Sequence, residues 1–196
     1  MNLKTNVIAT DITNLTDARY FAAWGVQYMS YAIDDTHPSF IGQEGIKEII
    51  DWVEGPINLG QLSGLSVPIT AAQIYTDLGL QGLVCGPFIS ADTTYTISPK
   101  VWKEVTDISL LEGMSEELLI VKLPHDADLQ AVTPALKATA ASNEVYLDGI
   151  PSVEVLASVL DSVKPAGIVL RGGEEEKVGF KSYDELDQFF EWLEVD

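Results

Sequence analysis

Short β-rich segments alternate with helical segments along almost the whole chain, and this alternation constrains the fold more than any other feature. Apolar, β-branched and aromatic residues predict strands at 7–12, 26–33, 57–62, 80–84, 118–123, 144–147 and 167–170. Helical periodicity predicts helices at 15–24, 45–53, 70–78, 126–141, 153–163 and 183–193. Strands that alternate with helices form parallel βαβ units, so the chain is predicted to be an α/β protein.

Residues 87–117 follow this pattern least clearly, and they decide how many strands the sheet contains. An extended piece is predicted at 93–97, a helical turn at 101–105 and a strand at 107–111. With that strand the chain has eight, which closes a (β/α)8 TIM-type barrel that is irregular between residues 87 and 117. The alternative is an open, doubly wound sheet, but no G-x-G-x-x-G motif follows the first strand. The sequence has no linker-like, low-complexity or repeated segment, so residues 1–196 are predicted to form a single barrel domain.

The formal net charge of −19 limits the classes of ligand that the chain attracts. Nucleic-acid binding is not expected, because phosphate backbones require clustered Lys and Arg residues. A phosphorylated metabolite would approach against this field, so it would need a local cationic or amide-rich site. The simpler alternative is an acidic surface that only keeps the protein soluble.

The sequence predicts a cytoplasmic protein without metal or other cofactor. No segment approaches the roughly 20 continuous apolar residues that span a bilayer, and residues 1–10 do not resemble a signal peptide. Cys85 is the only cysteine, so no internal disulfide forms. His37 and His125 are the only histidines, and their spacing matches no metal-ligand motif.

In (β/α)8 barrels the working residues lie at the carboxyl ends of the strands and in the loops that follow. The predicted rim carries Thr10, Asp11, Asp34, Asp35, Gln61, Cys85, His125, Asp148 and Arg171. Cys85 is interpreted as a small buried apolar residue, because no histidine lies at a position diagnostic of a nucleophilic pair. The tryptophans are expected to pack between helices and barrel, and they are Trp24, Trp52, Trp102 and Trp192.

The end of the last predicted strand is the strongest candidate for an anion site. Gly172 and Gly173 let backbone amides approach an anion, at the place where barrels frequently bind phosphate. Arg171 would add a bidentate clamp, and Thr10 from the first strand completes the predicted ligand-binding set. The alternative is a plain turn in which Arg171 pairs with a neighbouring carboxylate, and the run Glu174–Glu176 would oppose a phosphate.

The segment at 12–18, Ile-Thr-Asn-Leu-Thr-Asp-Ala, resembles the opening of the phosphoribosylanthranilate isomerases. In that family a first strand is followed by an isoleucine-threonine-asparagine stretch and an aspartate-alanine pair. A looser similarity continues over much of the chain and fades between residues 87 and 143. The resemblance implies a (β/α)8 barrel and an isomerase of tryptophan biosynthesis.

Three functional positions depart from the pattern of that family. The family's catalytic cysteine and the glycine after it correspond here to Thr10 and Asp11, and the strand at 118–123 offers Lys122 where the family has an acidic aspartate. The loop at 34–39 lacks the family's phosphate-contacting arginine. We therefore expect isomerase activity that is altered or lost, with a residual small-anion pocket of phosphate type at the carboxyl rim.

Asp11 and Asp148 are the predicted catalytic residues if the chain is an enzyme. The family's rearrangement requires a base that removes a carbon-bound proton and an acid that protonates the ring oxygen. Two carboxylates in different environments can divide these roles, with Asp11 as the base and Asp148 as the acid. The structural alternative is that Asp11 braces the first turn and Asp148 ends its strand in a solvated loop.

Three functional hypotheses follow. The first is a divergent phosphoribosylanthranilate isomerase-like barrel that binds a small phosphorylated or carboxylated metabolite, or runs a changed reaction. The second is a non-catalytic barrel that serves as a partner or assembly module, with a homodimer as one form. The third is a barrel that still acts as a phosphoribosylanthranilate isomerase.

Overall fold

The computed structural model describes residues 2–65, 67–125, 127–172 and 182–195. The strands are β1 (Asn2–Leu3), β2 (Asn6–Thr10), β3 (Tyr28–Ala32), β4 (Ile57–Leu62), β5 (Gly82–Cys85), β6 (Val101–Val105), β7 (Leu118–Lys122), β8 (Glu144–Asp148), β9 (Gly167–Arg171) and β10 (Glu194–Val195). The helices are α1 (Leu15–Ala23), α2 (Gly42–Trp52), α3 (Ala71–Asp77), α4 (Ala91–Tyr95), α5 (Leu129–Ala140), α6 (Val153–Ser162) and α7 (Asp184–Leu193). Within these ranges, no helix has the length and apolar character that crossing a membrane requires.

Eight parallel strands, β2 to β9, close into a barrel. Consecutive strands pair in chain order, and β9 returns to β2 with Asn6 opposite Gly167 and Thr10 opposite Arg171. This is the predicted (β/α)8 architecture, and the alternative of an open, doubly wound sheet is wrong. Because all eight strands run in the same direction, their carboxyl ends meet at one mouth.

The eighth strand lies within the irregular segment 87–117, but not where the sequence predicted it. β6 spans Val101–Val105, where a helical turn was predicted, and it pairs with β5 and β7. Lys103 and Glu104 obscured this strand, because a pattern based on apolar residues treats them as exposed. Both side chains are buried in the folded chain.

The outer wall of the barrel is thin beside β6 and β7. The strand predicted at 107–111 is wrong, because Ile108–Leu110 form a 3-10 helix, and no α-helix lies between β6 and β7. The Asp107 side chain accepts a hydrogen bond from the Ser109 N–H at 3.0 Å, which favours a turn over an extended chain. The extended piece predicted at 93–97 is also wrong, since it begins within α4.

Lys103 points away from the barrel interior and holds the loop after β5. Its Nζ donates to the carbonyl oxygens of Gly86 at 2.8 Å, Pro87 at 3.1 Å and Ile89. The buried ammonium is therefore solvated by backbone carbonyls in place of water. These contacts fix the course of the loop that leads into α4.

Aromatic and aliphatic side chains fill the amino-terminal part of the barrel interior. Trp102 is fully buried, and its ring meets those of Tyr28 and Tyr146 edge-on at centroid distances of 5.1 and 6.3 Å. The expectation that Trp102 packs between a helix and the barrel is wrong, because its strand was not recognised. Further apolar residues in the same cluster are Ile8, Leu59, Val84, Ile120 and Val169. The polar side chains of the barrel interior lie at its carboxyl end.

Helices α1 and α7 pack together through aromatic side chains. Asn14 caps α1, because its side chain accepts a hydrogen bond from the Asp17 N–H at 2.9 Å. Trp24 stacks on Phe190 with ring centroids 5.1 Å apart, in agreement with its predicted packing role. Trp52 does not follow that expectation and is largely exposed.

Two short strands tie together the first and last described residues. β1 and β10 pair antiparallel, with Asn2 opposite Val195 and Leu3 opposite Glu194. Because β1 directly precedes β2, this small sheet lies at the amino-terminal end of the barrel. It is therefore opposite the mouth.

Candidate functional site

A layer of polar side chains occupies the carboxyl end of the barrel interior. Its members come from the carboxyl halves of the strands, and they are Thr10, Ser30, Gln61, Glu104, Lys122, Asp148 and Arg171. Thr10 Oγ1 donates to Gln61 Oε1 at 3.0 Å, and Ser30 Oγ donates to Thr10 Oγ1 at 2.9 Å. These hydrogen bonds connect β2, β3 and β4 across the interior of the mouth.

Arg171 lies between the two carboxylates that were predicted to be catalytic. Its Nη2 donates to Asp148 Oδ2 at 2.7 Å, and its Nε donates to Asp11 Oδ2 at 3.3 Å. Burial disfavours the guanidinium charge, but the hydrogen bond to Asp148 and the two carboxylates outweigh it, so the pKa of Arg171 lies above its ordinary value. The three predicted residues are thus brought together, and Arg171 is paired with carboxylates, which was the alternative to a free anion clamp.

Asp11 adopts the left-handed backbone conformation, with φ of 57°. This conformation is unfavourable for a residue with a side chain, and such residues cluster at functional sites. Asp11 Oδ1 accepts a hydrogen bond from Ser39 Oγ at 3.1 Å and lies 3.7 Å from His37 Nε2. His37 Nδ1 accepts the Ser39 N–H at 3.1 Å, so in the neutral ring Nε2 carries the hydrogen that faces Asp11. Asp11 therefore links the loops after β2 and β3 to the end of β9.

Asp148 has different surroundings from Asp11. Only 4% of its side chain is exposed, against 27% for Asp11. Its Oδ1 has no hydrogen-bond partner within the described ranges, and Asp148 borders a small cavity of about 10 Å³, room for about one water molecule. The other polar residues that line this cavity are Thr10, Ser30, Glu104 and Arg171. A buried polar atom without a partner is rare in native proteins, so this oxygen requires an explanation.

Lys122 forms a second ion pair at the mouth. Its Nζ lies 3.0 Å from Glu104 Oε1, and only 5% of the Glu104 side chain is exposed. Sequence reasoning noted Lys122 only as a departure from the family pattern, and it missed Glu104. Recognition of β6 as a strand would have placed Glu104 inside the barrel, because side chains two residues apart, such as Trp102 and Glu104, point to the same face.

Asp34 joins two loops of the rim. Its Oδ1 accepts hydrogen bonds from the N–H and Oγ1 of Thr36 at 3.0 and 2.7 Å, and its Oδ2 accepts the Gly64 N–H at 2.7 Å. Burial alone would raise the pKa of Asp34, but these hydrogen bonds outweigh burial and hold the pKa below its ordinary value. Both carboxylate oxygens are therefore used within the loops.

The remaining predicted rim residues contribute less to the mouth. Cys85 is fully buried, and burial raises the pKa of its thiol, in agreement with its interpretation as a small apolar residue. Gly172 is half-buried directly after β9, whereas Gly173 lies outside the described residues. Asp35 and His125 are exposed. No group of three or more potential metal ligands occurs in the part of the chain that the structure describes.

Comparisons of the sequence find no relative. No family profile matches the chain, and no curated protein shows significant similarity to it.

Comparisons of the structure find many similar barrels. Phosphoribosylanthranilate isomerase from Thermotoga maritima is similar with a TM-score of 0.78 at 17% identity, over 96% of this chain and 98% of that chain. The enzyme from Thermus thermophilus gives 0.74 at 22% identity, over 96% and 98%. A phosphoribosyl anthranilate isomerase in complex with reduced 1-(o-carboxyphenylamino)-1-deoxyribulose 5-phosphate gives 0.76 at 17% identity, over 95% and 97%.

A protein of different name shares the same architecture. KGPDC from Streptococcus mutans is similar with a TM-score of 0.61 at 15% identity, over 87% of this chain and 88% of that chain. A barrel fold therefore does not by itself fix the reaction. The resemblance of the opening segment is confirmed at the level of structure, and this chain has the (β/α)8 fold of the phosphoribosylanthranilate isomerases.

Proposed function

We propose that the chain is a divergent phosphoribosylanthranilate isomerase-like protein of tryptophan biosynthesis, with altered isomerase activity. Its mouth binds a small phosphorylated or carboxylated metabolite. The observation that supports this proposal is the convergence of Asp11, Asp148 and Arg171 from three separate strand ends, where Asp148 and Arg171 also line a small cavity. Three ionisable side chains at the carboxyl end of a (β/α)8 barrel form the usual setting for catalysis in this fold.

The two carboxylates can divide the acid and base roles of an isomerisation. Asp11 is the more exposed of the two and is the base that removes the carbon-bound proton. Asp148 is the more deeply buried. As the acid, its Oδ1, which Arg171 does not hold, takes up a proton and passes it to the ring oxygen.

The contacts of Asp11 explain why the activity is altered. Both oxygens of its carboxylate accept hydrogen bonds, Oδ1 from Ser39 and Oδ2 from Arg171, so either oxygen must give up a contact before it can take a proton from a substrate. An enzyme with this carboxylate in place of a cysteine thiolate is expected to turn over slowly.

The proposed anion site consists of Arg171 and Gly172, together with Thr10 at the edge of the cavity. The Arg171 side chain is 46% exposed.

An activity assay tests this proposal. Conversion of phosphoribosylanthranilate should be measurable and should fall about 100-fold or more in Asp11→Asn, in the range seen on removal of a general base. Asp107→Asn, which alters an exposed carboxylate at a remote turn, is the matched control and should retain the wild-type rate. Equal rates in Asp11→Asn and wild type would remove Asp11 from the mechanism.

Thermal shift measurements test the anion site separately. Ribose 5-phosphate and inorganic phosphate should raise the melting temperature, because a ligand that binds only the native state stabilises it. Arg171→Gln should abolish the shift. A wild-type protein that shows no shift at millimolar phosphate would contradict the anion site.

A partner or assembly module is the second candidate function, and exposed apolar side chains favour it. Leu65, Ile69 and Phe88 lie in the loops after β4 and β5, with 81%, 101% and 72% exposure. These loops are at the same end of the barrel as the mouth, and contiguous exposed apolar patches mark interaction surfaces. Sedimentation velocity of wild type and of Ile69→Glu tests whether the chain self-associates as a homodimer through this surface.

A further inference from the structure

We propose that Asp148 Oδ1 is the recognition group of the mouth, and that it binds a hydrogen-bond donor of the ligand, either a hydroxyl or an ammonium group. This inference rests on the proposed function and deepens it, because it states which part of the metabolite enters the barrel.

The first argument is the unused hydrogen-bonding capacity of a buried charge. Asp148 Oδ2 accepts the Arg171 Nη2 hydrogen bond at 2.7 Å, whereas Oδ1 has no partner among the residues described. With 4% of the side chain exposed, bulk water does not satisfy this oxygen. An ionised carboxylate accepts several hydrogen bonds, and a buried oxygen that lacks one destabilises the fold. A ligand that donates to Oδ1 would remove this penalty.

The second argument is that no neighbouring donor among the described residues reaches Asp148 Oδ1. Lys122 lies directly opposite Asp148 in the pairing of β7 with β8, yet its Nζ contacts Glu104 Oε1 at 3.0 Å. The hydroxyl of Thr10 donates to Gln61, and the hydroxyl of Ser30 donates to Thr10. Arg171 keeps free N–H groups, but its hydrogen bond to Asp148 goes to Oδ2, so acceptor capacity remains at Asp148 Oδ1 and on the Ser30 oxygen.

The third argument concerns charge and size. Among the described side chains that form ion pairs with Arg171 and Lys122, three carboxylates, Asp11, Glu104 and Asp148, face the two cations, a balance of −1. This balance opposes entry of a phosphate or carboxylate and favours a neutral or cationic donor. The cavity, at about 10 Å³, has room for a group the size of one water molecule, so only a single hydroxyl or ammonium group enters. The anionic part of the metabolite stays at the outer rim.

Calorimetric titration tests the proposal with two probes, ribitol, which offers hydroxyl groups only, and 1,3-diaminopropane, which offers ammonium groups only. One of them should bind the wild-type protein, and Asp148→Asn should weaken that binding about 10- to 100-fold, the range for hydrogen bonds to a charged group. Asp34→Asn is the matched control, since Asp34 is also a buried rim carboxylate but has both oxygens occupied. This control should bind as the wild type does.

A second variant tests the proposal if Asp148→Asn does not fold. Ser30→Ala removes the other free acceptor at the cavity and should weaken binding of the same probe. Binding of neither probe at 10 mM (roughly −3 kcal/mol or weaker in standard free energy), or equal affinity in wild type and Asp148→Asn, would overturn the inference.

The isomerase assay separates the two proposals. Probe binding that depends on Asp148 in a protein without turnover would support this inference and contradict the proposed reaction. An Asp148→Asn variant with a strongly lowered kcat but an unchanged KM for phosphoribosylanthranilate would contradict this inference and leave the proposed acid role standing.

Discussion

Replacement of Arg171 by methionine should destabilise the barrel through the carboxylate that Arg171 leaves behind. Asp148 Oδ2 receives its 2.7 Å hydrogen bond from Arg171, and Oδ1 has no partner in the described chain. The variant would therefore hold an almost fully buried carboxylate without any donor. Asp11, with 27% exposure, can be hydrated and adds little to the effect.

The expected loss of stability in Arg171→Met follows from how deeply the Arg171–Asp148 ion pair is buried. Removal of one partner from a fully buried ion pair costs about 3–5 kcal/mol. Because 46% of the Arg171 side chain is exposed, solvent already screens part of the interaction, and we expect about 2–3 kcal/mol. With a urea m-value of about 2 kcal/mol per M, the unfolding midpoint should fall by about 1–1.5 M.

Urea unfolding at pH 7 measures this effect, and a double variant identifies its cause. The double variant Arg171→Met/Asp148→Asn should recover most of the lost stability, since neither partner then carries a charge. A single variant within about 0.5 kcal/mol of wild type at pH 7 would refute the reasoning.

Three other expected outcomes concern the support of the site. Lys103→Met leaves three backbone carbonyls without their donor and should cost about 2–4 kcal/mol in urea unfolding, whereas Lys47→Met, which breaks an exposed pair, should cost about 0–0.5. The pKa of Asp34 is lower in the folded chain than in the unfolded one, so its stabilisation is present above about pH 4 and is lost as pH falls further. Asp34→Asn should lack that acid-induced loss when unfolding is followed by circular dichroism. Gly167→Ala should lower the melting temperature strongly, because its Cβ would lie 2.4 Å from the Tyr146 ring and 2.5 Å from the Asn6 carbonyl, whereas Gly45→Ala, on a helix, should be tolerated.

Most of the barrel was predictable because its strands carry continuous apolar runs. β6 was the exception, since a strand covered on both faces can carry charged residues when each finds a partner. Lys103 finds backbone carbonyls on one face, and Glu104 finds Lys122 on the other. Such partners are distant in sequence, so no local pattern reveals them.

The position of the site was predictable from the sequence, but the ion pairs that Arg171 forms within it were not. Parallel strands bring their carboxyl ends together, which is why Asp11, Asp148 and Arg171 could be expected at one mouth. The choice between a free guanidinium and a paired one depends on distances that spacing does not encode. The same holds for the unpartnered oxygen of Asp148, which is visible only when every neighbouring donor has been assigned.

The antiparallel pair of β1 and β10 determines from which face of the molecule a tag, tether or fused domain would extend. It holds residues 2–3 against 194–195 on the face remote from Asp148. An affinity tag, a surface tether or a fused domain attached at either terminus would leave from that remote face. Immobilised protein should thus keep an unobstructed mouth, and a physiological fusion at either end would leave access for small molecules intact.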